Sequence, residues 1–321
     1  MLTIDVKDEV DSEWNHRVTK SKLATIYQSR EWGILLSEMG KKPKFLEFIN
    51  QKGDLVAQLL LSISNGPSNN LRKIINKIFQ RNVISWSYGP IIHNQKYIND
   101  VYTALSKFSI FKNYKILGYQ HPLSNHDLSK LNFLQVEEWS TFLIDLNLSL
   151  KVLYQNIDNH SGRKNIERSQ KRGVIVEEIT EKNLQDYANL LNQTSSSMGR
   201  EKTSVEYMFR LWTLLKPLGY SGFLAKKNET PISGILFSFL NNFIIEAGVV
   251  RADEDKIHNL YSQDLIKWKI IEWGTLNKMN YYNLAGFNPD PKSSKEKGIF
   301  RYKKKWGGEK TNYWIVRGFN K

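Results

Sequence analysis

The stretch Gly298 to Gly308 interleaves aromatics at 300, 302 and 306 with Arg301, Lys303, Lys304 and Lys305. Rings in this pattern can anchor one face in protein while the cations are presented to phosphate or to a carbonyl oxygen gaining negative charge. The same pattern also suits a solvated basic helix start ahead of a terminal strand. Arg251, just after the Glu246–Val250 strand, is placed either near a cleft or as an exposed strand-end cation. Arg163, Lys164, Arg168, Lys171 and Arg172 line one segment as a cationic face, suited to solvent or to phosphates. Leu71 to Arg81 sets Leu71, Ile74, Ile75, Ile78 and Phe79 against Arg72, Lys73, Lys77 and Arg81. That is a basic amphipathic helix, able to pack on the core or to dock on an anionic membrane.

Other chemistries are not written in the chain. No cysteine is present, which excludes disulfides, thiolate zinc sites and a cysteine nucleophile. His16, His93, His121, His126, His160 and His258 are scattered, with none at metal-ligand spacing on one helix face, so no metal and no cofactor is expected. Phosphate-binding loops, dinucleotide fingerprints, metalloprotease helices and nucleophile elbows are all missing. With 46 Lys plus Arg against 32 Asp plus Glu, the net charge of +14 favours polyanionic partners.

These residues need a scaffold, and 321 residues with 40% hydrophobic content suffice for two globular domains. The charged N-terminus lacks the apolar core of a signal peptide, so a cytoplasmic protein is expected, with peripheral contact to the inner face of the membrane as a further expectation. Alternation marks a hairpin at 44–49 and 55–64, then strands at 84–92, 114–119 and 141–146 with a helix at 97–111 between them. A helical connection from about 148 to 171 ends at Gly173. Beyond it come a strand at 174–179, helices at 184–193 and 204–215, and a meander at 222–227, 232–240 and 243–250. Asn241-Asn242 supplies its second turn, which also argues against a membrane span over 231–250. A long helix at 260–276 and strands at 281–284 and 313–317 complete the chain. This element order is that of the acetyltransferase-like fold, and the first half carries a shorter version of it.

The terminal stretch resembles the Gly-x-Tyr/Phe-x-Phe-Lys-x-x-Phe-Gly-Gly signature of the FemABX family of peptidoglycan-bridge aminoacyltransferases, here Gly298, Phe300, Tyr302, Lys303, Trp306, Gly307 and Gly308. Gln28-Ser29-x-x-Trp32, Gly89-Pro90, Phe142 to Leu146, Arg163-Lys164-Asn165-Ile166 and Tyr282-x-Leu284-x-Gly286 fall in family order. The resemblance implies an α/β (mixed α+β) fold of two tandem acetyltransferase-like domains, each a mixed sheet flanked by helices. The domains are expected at 1–147 and 148–321, with the last strand, about 312–321, able to pack on the first.

It further implies an N-acyltransferase that moves an aminoacyl group from aminoacyl-tRNA to an amine of a nucleotide- or lipid-linked, peptidoglycan-type envelope precursor. Lys303 would be the catalytic cation, with Tyr302, Arg301, Arg251, Lys304 and Lys305 binding substrate. Arg163, Arg168, Lys171 and Arg172 would hold the donor, and Arg72, Lys73, Lys77 and Arg81 would meet the membrane surface. Departures from the pattern are Tyr88 and His93 around the Gly-Pro turn, Asn283 for the usual aspartate, and Ser197 with Arg200 near an expected arginine. The alternatives are an acyl-coenzyme A N-acyltransferase and a non-catalytic RNA-binding protein. A glycine-rich pyrophosphate turn, which the first of these would need, is not evident after Val250, where Arg251-Ala252-Asp253-Glu254-Asp255 follows.

Overall fold

The computed structural model describes residues 2–64, 83–108, 114–197, 199 and 201–319. The basic helix expected at 71–81, with Arg72, Lys73, Lys77 and Arg81, lies outside the described residues, as does Arg200. The strands are β1 (Thr3–Lys7), β2 (Lys42–Ile49), β3 (Leu55–Ser64), β4 (Val83–Trp86), β5 (Ile91–Ile92), β6 (Lys115–Tyr119), β7 (Leu134–Asp145), β8 (Val174–Glu178), β9 (Tyr220–Lys227), β10 (Thr230–Ser238), β11 (Phe243–Arg251), β12 (Tyr281–Asn283) and β13 (Glu309–Phe319). The described helices are α1 (Ser12–Thr19), α2 (Arg30–Glu38), α3 (Ile98–Lys107), α4 (Leu150–Asn156), α5 (Lys164–Lys171), α6 (Leu184–Ser197), α7 (Val205–Leu215), α8 (Asp253–Ile257), α9 (Ser262–Leu276) and α10 (Ser294–Lys304). The chain divides into two compact units, residues 1–140 with 312–321 and residues 141–311.

In the first unit the strand order is β1-β2-β3-β4-β6-β13, antiparallel except for the parallel β4/β6 pair. The β2–β3 hairpin turns where Asn50 Oδ1 accepts from the Lys52 and Asp54 amides and Gly53 takes a left-handed φ of 87°. Strand β1 and helix α1 were not legible in the charged N-terminus. β1 is an edge strand, and α1 is capped by the Asp11 carboxylate on the Glu13 amide and pinned by buried Trp14.

The Gln28-Ser29-x-x-Trp32 pattern is structural. Gln28 is fully buried; its Oε1 accepts from Leu60 N at 2.8 Å and its Nε2 donates to Leu60 O at 3.2 Å and Ser87 O at 2.9 Å. Ser29 Oγ caps α2 by accepting from Trp32 N. Gly89 is required beside this amide, since a Cβ there would sit 2.9 Å from Gln28 Nε2 and 2.8 Å from Leu59 Cδ1. Gln28→Ala would orphan the buried N–H and C=O of Leu60 and remove the partner of Ser87 O. We expect it to lower the unfolding free energy by about 3 kcal/mol, read as an earlier urea midpoint at unchanged slope.

The second unit is a mixed sheet of order β12-β11-β10-β9-β8, with residues 143–145 of β7 antiparallel to β12. Among the described residues of this sheet, only β11 and β12 run parallel. Asn241 and Asn242 both take left-handed φ values, 52° and 59°, at the predicted Asn-Asn turn. Helix α9 packs on β9 and β10, and α6 on β10 and β11. Alternate residues of β10 serve the two faces: Ile235 joins the core with Ile266 and Ile270, while Gly234 makes room for the Tyr187 ring.

The long helical connection expected from 148 to 171 is interrupted. Asp158 N donates to Lys305 O at 2.7 Å, and the Asp158 carboxylate caps a wide turn at Asn159–Arg163 before α5 begins. The first of these contacts could not be read from local sequence, because Lys305 is far away along the chain, whereas the cap acts within three residues, on Ser161 N. Gly173 ends α5 with φ 71°, as a helix stop requires.

Candidate active site

Strands β11 and β12 pair through Phe243/Tyr281, Ile244/Tyr282 and Ile245/Asn283, and then part. From Glu246 onwards β11 is paired only with β10, across an irregularity at Leu236/Phe237. The two carboxyl ends therefore open a cleft of about 640 Å³. In open α/β sheets this is the usual place for a ligand. Glu246 to Val249 form one wall, Leu284 to Gly286 the second, and Lys295, Gly298, Ile299, Tyr302 and Lys303 of α10 the third, with Lys267 of α9 below.

Helix α10 is set against this opening by local chemistry. A reciprocal cap joins Ser293 and Glu296: Ser293 Oγ accepts from Glu296 N, and Glu296 Oε2 accepts from the Ser293 and Lys292 amides. These bonds, with Asn288, hold the Glu296 carboxyl down at about 2. The Ser-x-x-Glu spacing, which sequence reasoning passed over, is the local signal that could have placed the start of this helix. A Cβ at Gly298 would meet nothing within 4 Å, so this position leaves the cleft mouth wide.

Lys303 Nζ donates to Ala285 O at 2.8 Å and Gly286 O at 2.9 Å. Those carbonyls are turned inward because Ala285 has φ 61°, and Asn283 Oδ1 accepts from Ala285 N at 2.9 Å. Burial pulls the Lys303 ammonium down to about 8; nearby Glu246 opposes this and Lys267 adds to it. Two of its N–H bonds are thus committed to carbonyls. The remaining site is a third N–H when charged, or a lone pair when neutral.

Sequence reasoning missed the rest of the floor. Lys267, buried in the middle of α9, pairs with Glu246 Oε1, which also accepts from Tyr282 Oη. Burial, and next the Glu246 charge, push the Tyr282 phenol well up, so it stays a donor. The Tyr302 hydroxyl is buried without a hydrogen-bond partner, and its ring lies 4.4 Å from Lys305 Nζ and 5.6 Å from Lys267 Nζ. The replacement of the family aspartate by Asn283 does not leave the cleft without a carboxylate. Asn283 is turned into the core, accepting from Thr141 Oγ1 at 2.5 Å, while Glu246 on the neighbouring strand faces the opening. The one cue to Glu246 was that it is the sole charge in a 20-residue apolar stretch.

The remaining sequence candidates spread over several surroundings. Lys305 is internal, bonded to Asp264 Oδ1 at 2.6 Å and Ser161 O at 3.0 Å; Asp264 in turn accepts from Asn165. Lys304 is exposed beside the Phe300 ring, Arg301 is exposed, and neither lines the cleft. Arg251 is drawn to the fully buried Asp255 carboxylate, which also accepts from Ser262 N. On α5, Lys164, Arg168, Lys171 and Arg172 form one exposed stripe opposite buried Asn165, Ile166 and Ser169. Arg168 and Arg172 lie over the Tyr261 ring at 5.9 Å and 5.4 Å, and Arg163 keeps a buried Nε without a partner.

A cavity of about 700 Å³ lies in the first unit, but two of its cations are already engaged: Lys44 with Asp8, and Arg30 with Val10 O. Among the described residues there is no cluster of three or more His, Asp or Glu groups arranged for a metal ion, and no helix is long and apolar enough to cross a membrane.

The fold is that of tandem acetyltransferase-like proteins. Among these it is FemX-like: the structure of FemX superposes with a TM-score of 0.67 at 12% identity, covering 97% of this chain and 96% of that one. The C-terminal domain of a putative lysylphosphatidylglycerol synthetase from Agrobacterium fabrum gives 0.58 at 12% identity, over 95% and 92%. A tandem GNAT protein from the clavulanic acid biosynthesis pathway gives 0.56 at 9% identity, over 99% and 98%. No family model matches the chain, and no curated protein matches it in sequence.

Proposed function

We propose that this protein is an N-acyltransferase that moves an aminoacyl group from aminoacyl-tRNA to an amine of a peptidoglycan-type envelope precursor. The observation that carries this reading is the Lys303 ammonium, lowered to about 8 and aimed by two carbonyls in a cleft between parted parallel strands. The FemX-like fold supports it.

In the step envisaged, the acceptor amine attacks the ester carbonyl carbon, forming the C–N bond while the carbonyl electrons move to oxygen. Neutral Lys303 takes the proton from the attacking nitrogen and, now charged, faces the oxyanion. Collapse restores the carbonyl and breaks the ester C–O bond, and the same proton passes to the leaving hydroxyl of the tRNA ribose. Tyr302 Oη, unpartnered and in the same wall, supplies a further donor. No side-chain nucleophile is needed, since the enzyme's contribution is orientation and charge.

The acyl-coenzyme A reading is favoured by one feature. Residues 246–249 have no strand partner on the β12 side beyond Ile245, so their backbone can pair with a linear amide-bearing donor. Against it, 251–255 provide no glycine cradle for a pyrophosphate. The test is mass spectrometry of envelope precursors from cells with and without the protein. An amino-acid mass added to the precursor only when the protein is present is expected. An acyl mass without an added amino acid would move the assignment to coenzyme A, and identical precursors would remove the envelope acceptor.

A further inference from the structure

The first unit contains a second polar pocket that the proposed transfer does not use. It encloses about 370 Å³ where the last turn of α1 meets β5, and is lined by Arg17, Lys20, Ser21, Leu55, Ile92 and His93. Two cations, an imidazole and a hydroxyl face it, and no carboxylate is in its lining.

The polar layer beneath is built. Glu47 and Gln58 are register partners on β2 and β3, so they share a face of the sheet. Glu47 is 7% exposed and divided between Lys7 at 2.7 Å and Arg17 Nη2 at 2.5 Å. Gln58 is 0% exposed, and its Oε1 lies 2.9 Å from His93 Nε2. His93 N donates to Val56 O at 2.9 Å, which fixes the ring's base on β3. Two buried donors of this layer have no partner: Arg17 Nε and Gln58 Nε2. Glu47 is shared by Lys7, which also meets Asp5, and Arg17, while Lys20 forms no ion pair among the described residues. Native interiors rarely leave such donors unmatched by protein, water or ligand.

We infer that this pocket binds the phosphate group of a small phosphorylated molecule. Arg17, Lys20 and Ser21 would hold the oxygens, and Leu55 and Ile92 would pack against the organic part. A volume of this size exceeds what a bare phosphate needs and falls at the small end of ligand sites. Burial, and next the charges of Arg17 and Lys20, hold the imidazole of His93 below its ordinary value, a positive environment that an anion would relieve.

The experiment uses the full chain labelled at histidine 13Cε1, with the His93 signal identified by its loss in His93→Gln. Inorganic phosphate, glycerol phosphate and chloride are titrated at matched ionic strength. A saturable shift of the His93 signal is expected with phosphate and not with chloride. Lys20→Gln, an exposed position whose change leaves the layer below intact, should weaken it about tenfold or more. Tighter binding of glycerol phosphate than of phosphate assigns the apolar wall to a phosphorylated metabolite; equal binding assigns the pocket to free phosphate. An unmoved His93 signal at about 20 mM of either ligand, an equal shift with chloride, or a shift indifferent to Lys20→Gln would overturn the site.

Discussion

Lys303→Ala should lower turnover about 10²-fold or more while leaving the melting temperature within a few degrees of the parent. The side-chain hydrogen bonds of Lys303 go to the carbonyls of Ala285 and Gly286, and it lines the cleft, where water can take up those carbonyls once the side chain is removed. The pH profile carries the sign. The neutral amine is the proton acceptor, so kcat/KM in the parent should rise with pH and level off above about 8. In Lys303→Ala that limb should vanish, leaving only the titration of the acceptor amine itself. Lys303→Arg, charged at every accessible pH, should be as inactive as the alanine variant. A fully active arginine variant, or an unchanged limb in the alanine variant, would remove proton transfer from Lys303. Lys304→Ala, whose side chain is exposed beside Phe300, should change turnover far less.

Binding of tRNA should weaken by about 10³-fold between 50 and 200 mM salt if six or more phosphates are contacted. The stripe of Lys164, Arg168, Lys171 and Arg172 is the expected surface, held rigid because Arg172 also bonds Asn259 O and both arginines rest on Tyr261. Changing Arg168, Lys171 and Arg172 together to Gln should reduce the slope of log K against log salt by about 2 to 3, with the cleft untouched. Calorimetry with acetyl-coenzyme A run beside it should show no heat of binding. Saturable coenzyme A binding with salt-insensitive tRNA binding would reverse the donor assignment without altering the fold.

How far the sequence reached depends on the range of the contacts involved. Alternation at 55–64 and the Asn-Asn pair at 241–242 act over a few residues, so hairpin and meander were legible. The signature lysine was found by its neighbours, and the structure puts it in a cleft wall. Its sequence neighbours share its charge and not its surroundings, because helical geometry turns Lys304 to solvent and Lys305 to Asp264.

The amino-acid sequence by itself determined most of the element order from the β2–β3 hairpin onwards, the turns at 50–53 and 241–242, the helix stop at Gly173 and the excess of positive charge. Each is set by local sterics, hydrogen bonding within a few residues, or composition. Only the tertiary structure decided that Glu246 and Lys267, 21 positions apart on a strand and a helix, meet as a buried pair on the cleft floor. It also decided that Asn283 faces inward and that Lys303 is pulled to about 8. Pairing and desolvation depend on which surfaces are brought together and shielded from water, and chain distance carries no record of that.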